Sequence, residues 1–267
     1  MKKIVIAAVA AITFVAPTVA SYAAVNYAAL TKPVARGPQA SESIYFVMTD
    51  RFANGDSKND QAGLTGSRTQ TGFDPADKAY FHGGDIKGLT DHLKYIKELG
   101  FTSIWITPPV KNQYVQGSSA AYHGYWGVDF STIDPHLGTE ADFKNFVSAA
   151  HALGIKVIVD IVVNHTADVI KYSVGKYGYR YIAEYPYRNC AGKEFDISLV
   201  AGKSTFPKLC ADKSFAYIPV VDSWNKSVKK PAFLNDVTNY HNRGDSTWTG
   251  TSVFDGDFFG LDDLFTE

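Results

Sequence analysis

Residues 139–166 read TEADFKNFVSAAHALGIKVIVDIVVNHT. The first half carries apolar residues at Phe143, Phe146, Val147, Ala150 and Leu153, the spacing of one helix face. Thr139 stands where an N-cap belongs, with Asp142 three residues on, an approximate capping box. Gly154 follows the last periodic residue, where a helix C-terminus favours glycine. IKVIVDIVV is then almost continuously apolar, which predicts a strand covered on both faces. It ends by presenting Asn164 and His165, two hydrogen-bonding groups at the tip of an apolar run.

The same alternation precedes it. SIYFVMTD, residues 43–50, reads as a strand, and GLTDHLKYIKELG, residues 88–100, as a helix whose face is Leu89, Leu93, Ile96 and Leu99, capped by Gly100. FTSIWIT, residues 101–107, is a strand stopped by Pro108 and Pro109. Strand, helix, strand, helix, strand predicts parallel βα units. A (β/α)8 barrel and an open doubly wound sheet both fit, but no Gly-rich phosphate turn follows any strand, so a nucleotide-binding sheet has little support. The long loops all follow strands, which in a barrel gathers them on the active-site face. Residues 166–255 lose this regularity and are too long for a plain loop, so they predict a small irregular domain inserted after the third strand.

Composition bounds the function. The chain has 267 residues, a formal net charge of -1 and 45% hydrophobic residues, ample for a core and without the basic excess that nucleic acid demands. MKK followed by IVIAAVAAITFVA and the small residues of TVASYAA reads as a secretory signal peptide over residues 1–24, cut after Ala20, Ala23 or Ala24, with a polar lead-in over 25–42. No later stretch suits a membrane helix, so the mature protein is expected to be exported and soluble. Cys190 and Cys210 lack the neighbouring ligands of a zinc site, and an oxidising compartment permits them to pair.

Three groups of side chains fall at predicted strand ends: Asp50 and Arg51 after the first, His123, Tyr125 and Trp126 in the loop after the second, and Asp160, Asn164 and His165 at the third. Neutral His and Asn donate to hydroxyls, and Tyr and Trp offer flat apolar faces, a set suited to a neutral, hydroxyl-rich ligand. NGDSKND, residues 54–60, crowds Asn54, Asp56, Asn59 and Asp60 together, with GGD, residues 83–85, further on. Calcium takes six to eight such oxygens, but a solvated Asx-rich turn fits the residues equally.

TDRFANGDSKND, GGDIKGLTDHLKYIKELGFTSIWITPP, AYHGYWGVDF, PHLGTEADFKNFVSAAHALGIKVIVDIVVNHT and GLDDL occur here in the order seen in the α-amylase family of glycoside hydrolases. From about Ser43 onward the chain resembles the N-terminal part of such an enzyme. The resemblance implies an α/β fold, the N-terminal part of a (β/α)8 TIM barrel over residues 43–165, the inserted domain over 166–255, and a return to the barrel over 256–267. It implies retaining hydrolysis or transfer of α-1,4-glucosidic bonds in starch or maltodextrin, with calcium as cofactor. Asn164 resembles the family's calcium-binding Asn, with Asp263 as partner. Asn54, Asp56, Asn59, Asp60, Asp85 and the Gly83 carbonyl resemble a second calcium site of cyclodextrin-forming and maltogenic members. His123, Tyr125 and His165 resemble residues lining the sugar subsite, and Asp160 the Asp that orders them.

Retaining glycosidases need two carboxyl groups about 5 Å apart. The family's nucleophile, acid/base and third carboxylate follow strands four, five and seven, which are expected beyond Glu267. Asp129 and Asp160 are the nearest substitutes, and both read as structural. The chain as given is therefore expected to be truncated, marginally stable and without turnover. A glucanotransferase of the same family shares every residue discussed. A non-catalytic carbohydrate- or calcium-binding protein is the rival from another class. An aldolase barrel lacks a strand ending in a Schiff-base Lys.

Overall fold

A computed structural model describes residues 42–174 and 177–266. The expected signal peptide, and the lead-in apart from Glu42, lie outside the described residues. Three strands form a parallel sheet in the order β1 (Ile44–Val47), β2 (Ser103–Ile106), β5 (Lys156–Val159). β2 is central: Phe46 stands opposite Trp105, and Trp105 opposite Ile158. Between β1 and β2 run, after a one-turn helix at Arg68–Thr71, the two short helices α1 (Ile86–Asp91) and α2 (Leu93–Glu98). After β2 comes the antiparallel pair β3 (Val110–Asn112) and β4 (Gly127–Ile133), then α3 (Glu140–Ala152) leading into β5. The parallel sheet with helical crossovers follows the βα pattern of the sequence.

α3 forms where its periodicity places it. Thr139 Oγ1 accepts from the Asp142 amide at 3.2 Å, and Asp142 Oδ2 accepts from the Thr139 amide at 2.8 Å, so the capping box closes in both directions. Gly154 takes φ +67° and Gly100 φ +91°, the left-handed region where a side chain would strain the turn. Phe146 and Ala150 are fully buried against Val47, Leu89, Ile96, Ile104 and Ile106. That cluster joins one face of the sheet to its helices. Burying an aliphatic or aromatic side chain there contributes roughly 1.5–3 kcal/mol.

Three expectations need correction. The single helix over 88–100 is two, broken at His92, whose backbone turns to φ -106°, ψ 10° while its Nδ1 meets the Gly88 carbonyl at 2.7 Å. A side chain competing for a helix carbonyl interrupts the ladder. Leu99, past the break, is 52% exposed and off the buried face. The third strand stops at Val159, well short of Val163, and Ile161 and Val163 are exposed. Finally, the sheet is not covered on both faces: Ile104 and Ile106 are buried, whereas Phe46, Trp105 and Ile158 on the opposite face are more than a third exposed among the described residues. The pleat puts alternate residues on opposite faces, and apolar character on both does not reveal which face is covered.

Beyond residue 165 the described backbone has only short elements, among them the two-residue pair β6 (Lys171–Tyr172) and β7 (Pro219–Val220), and α4 (Ser252–Asp255). Its own aromatic core contains Tyr172, Tyr217 and Tyr240 with Ile170. Cys190 and Cys210 form a disulfide that staples a loop of this region. Residues 261–265 return to the end of β5: the Leu264 amide donates to the Asn164 carbonyl and the Thr166 amide to the Asp262 carbonyl. No described helix is long and apolar enough to cross a membrane.

Candidate functional site

The parallel strands end toward a pocket of about 810 Å³. His123, Tyr125, Trp126 and His165 line it, together with Gln116, Asp168, Phe258 and Phe259. Two stretches some forty residues apart thus meet because β2 and β5 are neighbours in one sheet. The His165 ring nitrogen Nε2 meets the Tyr125 carbonyl at 3.2 Å. The Tyr125 hydroxyl donates to Asp160 Oδ2 at 2.7 Å, so Asp160 holds the tyrosine from behind rather than lining the cavity.

His123 is fixed by its own loop. The Tyr125 amide donates to His123 Nδ1 at 3.0 Å, which leaves Nδ1 as acceptor and places the imidazole proton on Nε2. Burial, aided by the Arg51 charge, pushes the His123 pKa down to about 4. Burial also lowers His165. Both imidazoles are therefore neutral near pH 7. Burial, and then the Asp160 carboxylate, raises Tyr125 to about 12, so its hydroxyl keeps its proton. The His123 and Tyr125 rings lie 5.8 Å apart at 20°, and His165 lies parallel to Phe258 at 5.9 Å. The result is a wall of flat rings with uncharged nitrogen and hydroxyl groups at its edge.

Not every predicted residue reaches this wall. Asp50 is buried, accepting from the amides of His82 and Gly83 and facing Arg51 Nε at 3.0 Å. The Arg51 guanidinium lies 3.9 Å from the Tyr122 ring centre and donates to the carbonyls of Lys78 and Tyr80. This pair braces the loop instead of meeting a ligand. Asp129 is held by the Ser131 amide and hydroxyl and by Lys230, and does not line the pocket. Asp168 is the one carboxylate lining the pocket among the described residues, and it pairs with Lys171. Sequence reasoning missed Phe258 and Phe259; their position beside GLDDL was a signal, since that stretch returns to the end of β5.

The Asx-rich loop shows a division of labour. Asp85 is fully buried and N-caps α1, accepting from Gly88 at 2.6 Å. Its oxygens also accept from the amides of Gly55 and Asp56 and from Asn59 Nδ2, at 3.0, 2.8 and 3.1 Å. Four N–H donors meet the carboxylate that the resemblance assigns to a metal, so Asp85 braces the loop whether or not it also ligates an ion. Asn59 Oδ1, by contrast, is buried and accepts no hydrogen bond among the described residues. Burial and the nearby Asp85 and Asp56 raise the Asp60 pKa, although Asn54 Nδ2 donates to it at 2.7 Å. Gly83 closes the cradle: a Cβ there would fall 2.7 Å from both Asn54 Nδ2 and Asp60 Oδ1. An orphaned amide oxygen beside carboxylates that repel one another suits a hard cation. Elsewhere, Asn164 Nδ2 donates to Asp263 Oδ1 at 2.9 Å, so these two residues do meet. Among the described residues no three His, Cys, Asp or Glu side chains cluster as metal ligands do.

The structure thus defines a parallel α/β protein whose long strand-end loops carry a pocket of stacked rings and neutral hydrogen-bonding groups. The family described as alpha amylase, catalytic domain, matches residues 46–259, and the chain belongs to the α-amylase family. It is 48% identical over 245 residues to an α-amylase of Streptomyces lividans, a match covering 90% of this chain and 26% of that protein. It is 33% identical over 241 residues to the periplasmic α-amylase of Escherichia coli (strain K12), covering 84% and 33%. Among solved structures it is similar to CldA, a cyclomaltodextrin glucanotransferase with a three-domain ABC distribution, at 32% identity and a TM-score of 0.53, covering 84% of this chain and 38% of that one. The chain thus spans about a quarter to two fifths of the length of these relatives. The family carries the TIM-barrel fold, to whose N-terminal part the three strands correspond.

Proposed function

We propose that the chain is the sugar-holding part of a retaining glycoside hydrolase that acts on α-1,4-glucans. The observation that carries this reading is the meeting of His123, Tyr125, Trp126 and His165 on one pocket wall in a chain of this family. Tyr125 stacks on a glucose ring, oriented by Asp160, while the neutral imidazoles of His123 and His165 hydrogen-bond to hydroxyls. These groups bind and position the glucan, and the stacked rings exclude water from one face of it. Cleavage with retention needs a close pair of carboxyls. Asp168, tied to Lys171, does not form such a pair in this pocket, so the described residues hold sugar without breaking the bond.

Calcium is part of the proposal. Asn54, Asp56, Asn59 and Asp60 with the Gly83 carbonyl would hold one ion, and Asn164 with Asp263 another. A bound cation would supply fixed positive charge that locks these loops. Export is proposed as well: the Escherichia coli relative is periplasmic by name, and a formed disulfide suits an oxidising compartment.

Calorimetry with maltoheptaose tests the reading. Binding that Tyr125→Ala weakens at least tenfold is the expected result, with reducing ends released from soluble starch at no more than the buffer rate. Equal affinity for a cello-oligosaccharide, or no binding, would overturn it. The likeness to CldA favours one second reading, glucanotransfer. Product analysis of the whole protein, cyclic against linear glucans, separates the two.

A further inference from the structure

The loop stapled by Cys190–Cys210 and helix α4 enclose a second cavity that shares no lining residue with the first. It measures about 350 Å³, and Tyr181, Tyr187, Thr251, Phe254 and Asp255 line it. An adjoining cavity of about 390 Å³ shares Ile182, Tyr187 and Ile197 with it and continues past Phe195 and Asp196. Two rings stand at the mouth: Tyr181 is 43% and Phe254 75% exposed. Exposed rings that line one cavity together form a contiguous apolar surface, the kind that marks a binding site. The polar groups are built in from behind. Asp255 accepts from the Tyr179 hydroxyl and faces Arg243 Nε at 3.4 Å. Arg243 is fully buried, its guanidinium 4.8 Å from the Tyr187 ring centre, and its Nη1 has no hydrogen-bond partner among the described residues. Among the described residues no Lys or Arg lines either cavity; His241 does, and the Arg243 charge behind it faces Asp255.

We propose that this groove is a second α-glucan site, in which Tyr181 and Phe254 stack on sugar rings and Asp255 accepts from their hydroxyls. Exposed rings beside a carboxylate whose charge Arg243 already meets fit a neutral, hydroxyl-rich chain. The disulfide holds the Phe195–Ile197 wall in place, so little ordering is left for the ligand to impose. The choice of α-glucan rests on the reading of the first pocket, but the geometry of the groove does not.

Calorimetry with maltoheptaose on the 267-residue chain tests it, backed by migration in native gels containing amylopectin. Two molecules bound per chain are expected. Tyr181→Ala with Phe254→Ala should remove one of them and reduce retardation in the gel about tenfold, with Tyr125→Ala removing the other. Phe254→Tyr, which keeps the ring, should bind like the parent. Phe254 is mostly exposed, so Phe254→Ala alone leaves the core intact should the double variant fold poorly. A single molecule bound, abolished by Tyr125→Ala and untouched by Tyr181→Ala/Phe254→Ala, overturns the second site and leaves the first standing. No maltoheptaose bound by any of these chains overturns both.

Discussion

Replacing Asp85 with Ala separates a scaffold from a metal ligand. The carboxylate is fully buried and accepts four N–H groups at 2.6–3.1 Å, joining the start of α1 to the loop 54–60. Losing the cap on Gly88 costs about 1 kcal/mol. Each of the other three donors, left buried and unpaired, costs about 1–3 kcal/mol, with the low end fitting the loop amides that water can reach. The expected loss is therefore about 3–5 kcal/mol, a large fraction of the 5–15 kcal/mol typical of a folded domain. Urea unfolding followed by tryptophan fluorescence reads it, as a midpoint lowered by roughly 1–2 M for a slope of about 2–3 kcal/mol/M. The measurement is made in calcium and again in a chelator. A scaffold loses the same stability in both. A loss under about 1 kcal/mol, or one that vanishes once the chelator is present, would refute the scaffold and return Asp85 to the metal. Asp85→Asn keeps one acceptor oxygen and should fall between the two.

Cys190→Ser with Cys210→Ser opens a loop of sequence separation 20, and chain entropy sets the loss at about 3 kcal/mol in the same urea assay. Tyr125→Phe keeps the ring and loses the 2.7 Å bond to Asp160; stability should drop by about 1 kcal/mol while maltoheptaose affinity stays within about fivefold, in contrast to Tyr125→Ala. Burial pushes Asp257 up to about 7 from an ordinary value of 3.8. Between about pH 4 and 7 the folded chain then holds a proton that the unfolded chain has lost, so this group lowers stability as pH rises, by up to about 1.4 kcal/mol per unit. Asp257→Asn should remove that decline; parallel pH profiles for parent and variant would contradict it.

The positions of the elements were legible because local rules suffice for them. The spacing of Phe143, Phe146, Val147 and Ala150, closed by Thr139 and Gly154, needs no tertiary context, and α3 lies where it was expected. The break at His92 was not legible. It arises from one imidazole reaching the Gly88 carbonyl, a competition that apolar periodicity does not register. Nor did composition show which face of the sheet is covered, since Phe46 and Trp105 are as apolar as Val47 and Ile104. Only the packing of α1 and α3 distinguishes them. Phe258 and Phe259 escaped notice for a related reason: pairing of 261–265 with 164–166 is long-range, and only the adjoining GLDDL, not the rings themselves, hints at it.

At the strand ends the structure separates carboxylates that bond within the chain from rings that line the pocket. Asp50 and Asp160 follow β1 and β5, Asp85 caps α1 and Asp129 lies within β4, and all four bond within the chain. A carboxylate ending a buried strand meets the free N–H groups of the next turn before it meets a ligand, because each unpaired amide there costs more than the ion pair or sugar contact would return. Aromatic rings carry no such obligation: Tyr125 satisfies one hydroxyl through Asp160 and leaves its face open to the pocket. The imidazoles fall between, each meeting the backbone through one nitrogen while the residue lines the pocket. In this chain the acidic residues at the strand ends mostly build the loops, and the rings those loops carry form the surface offered to sugar.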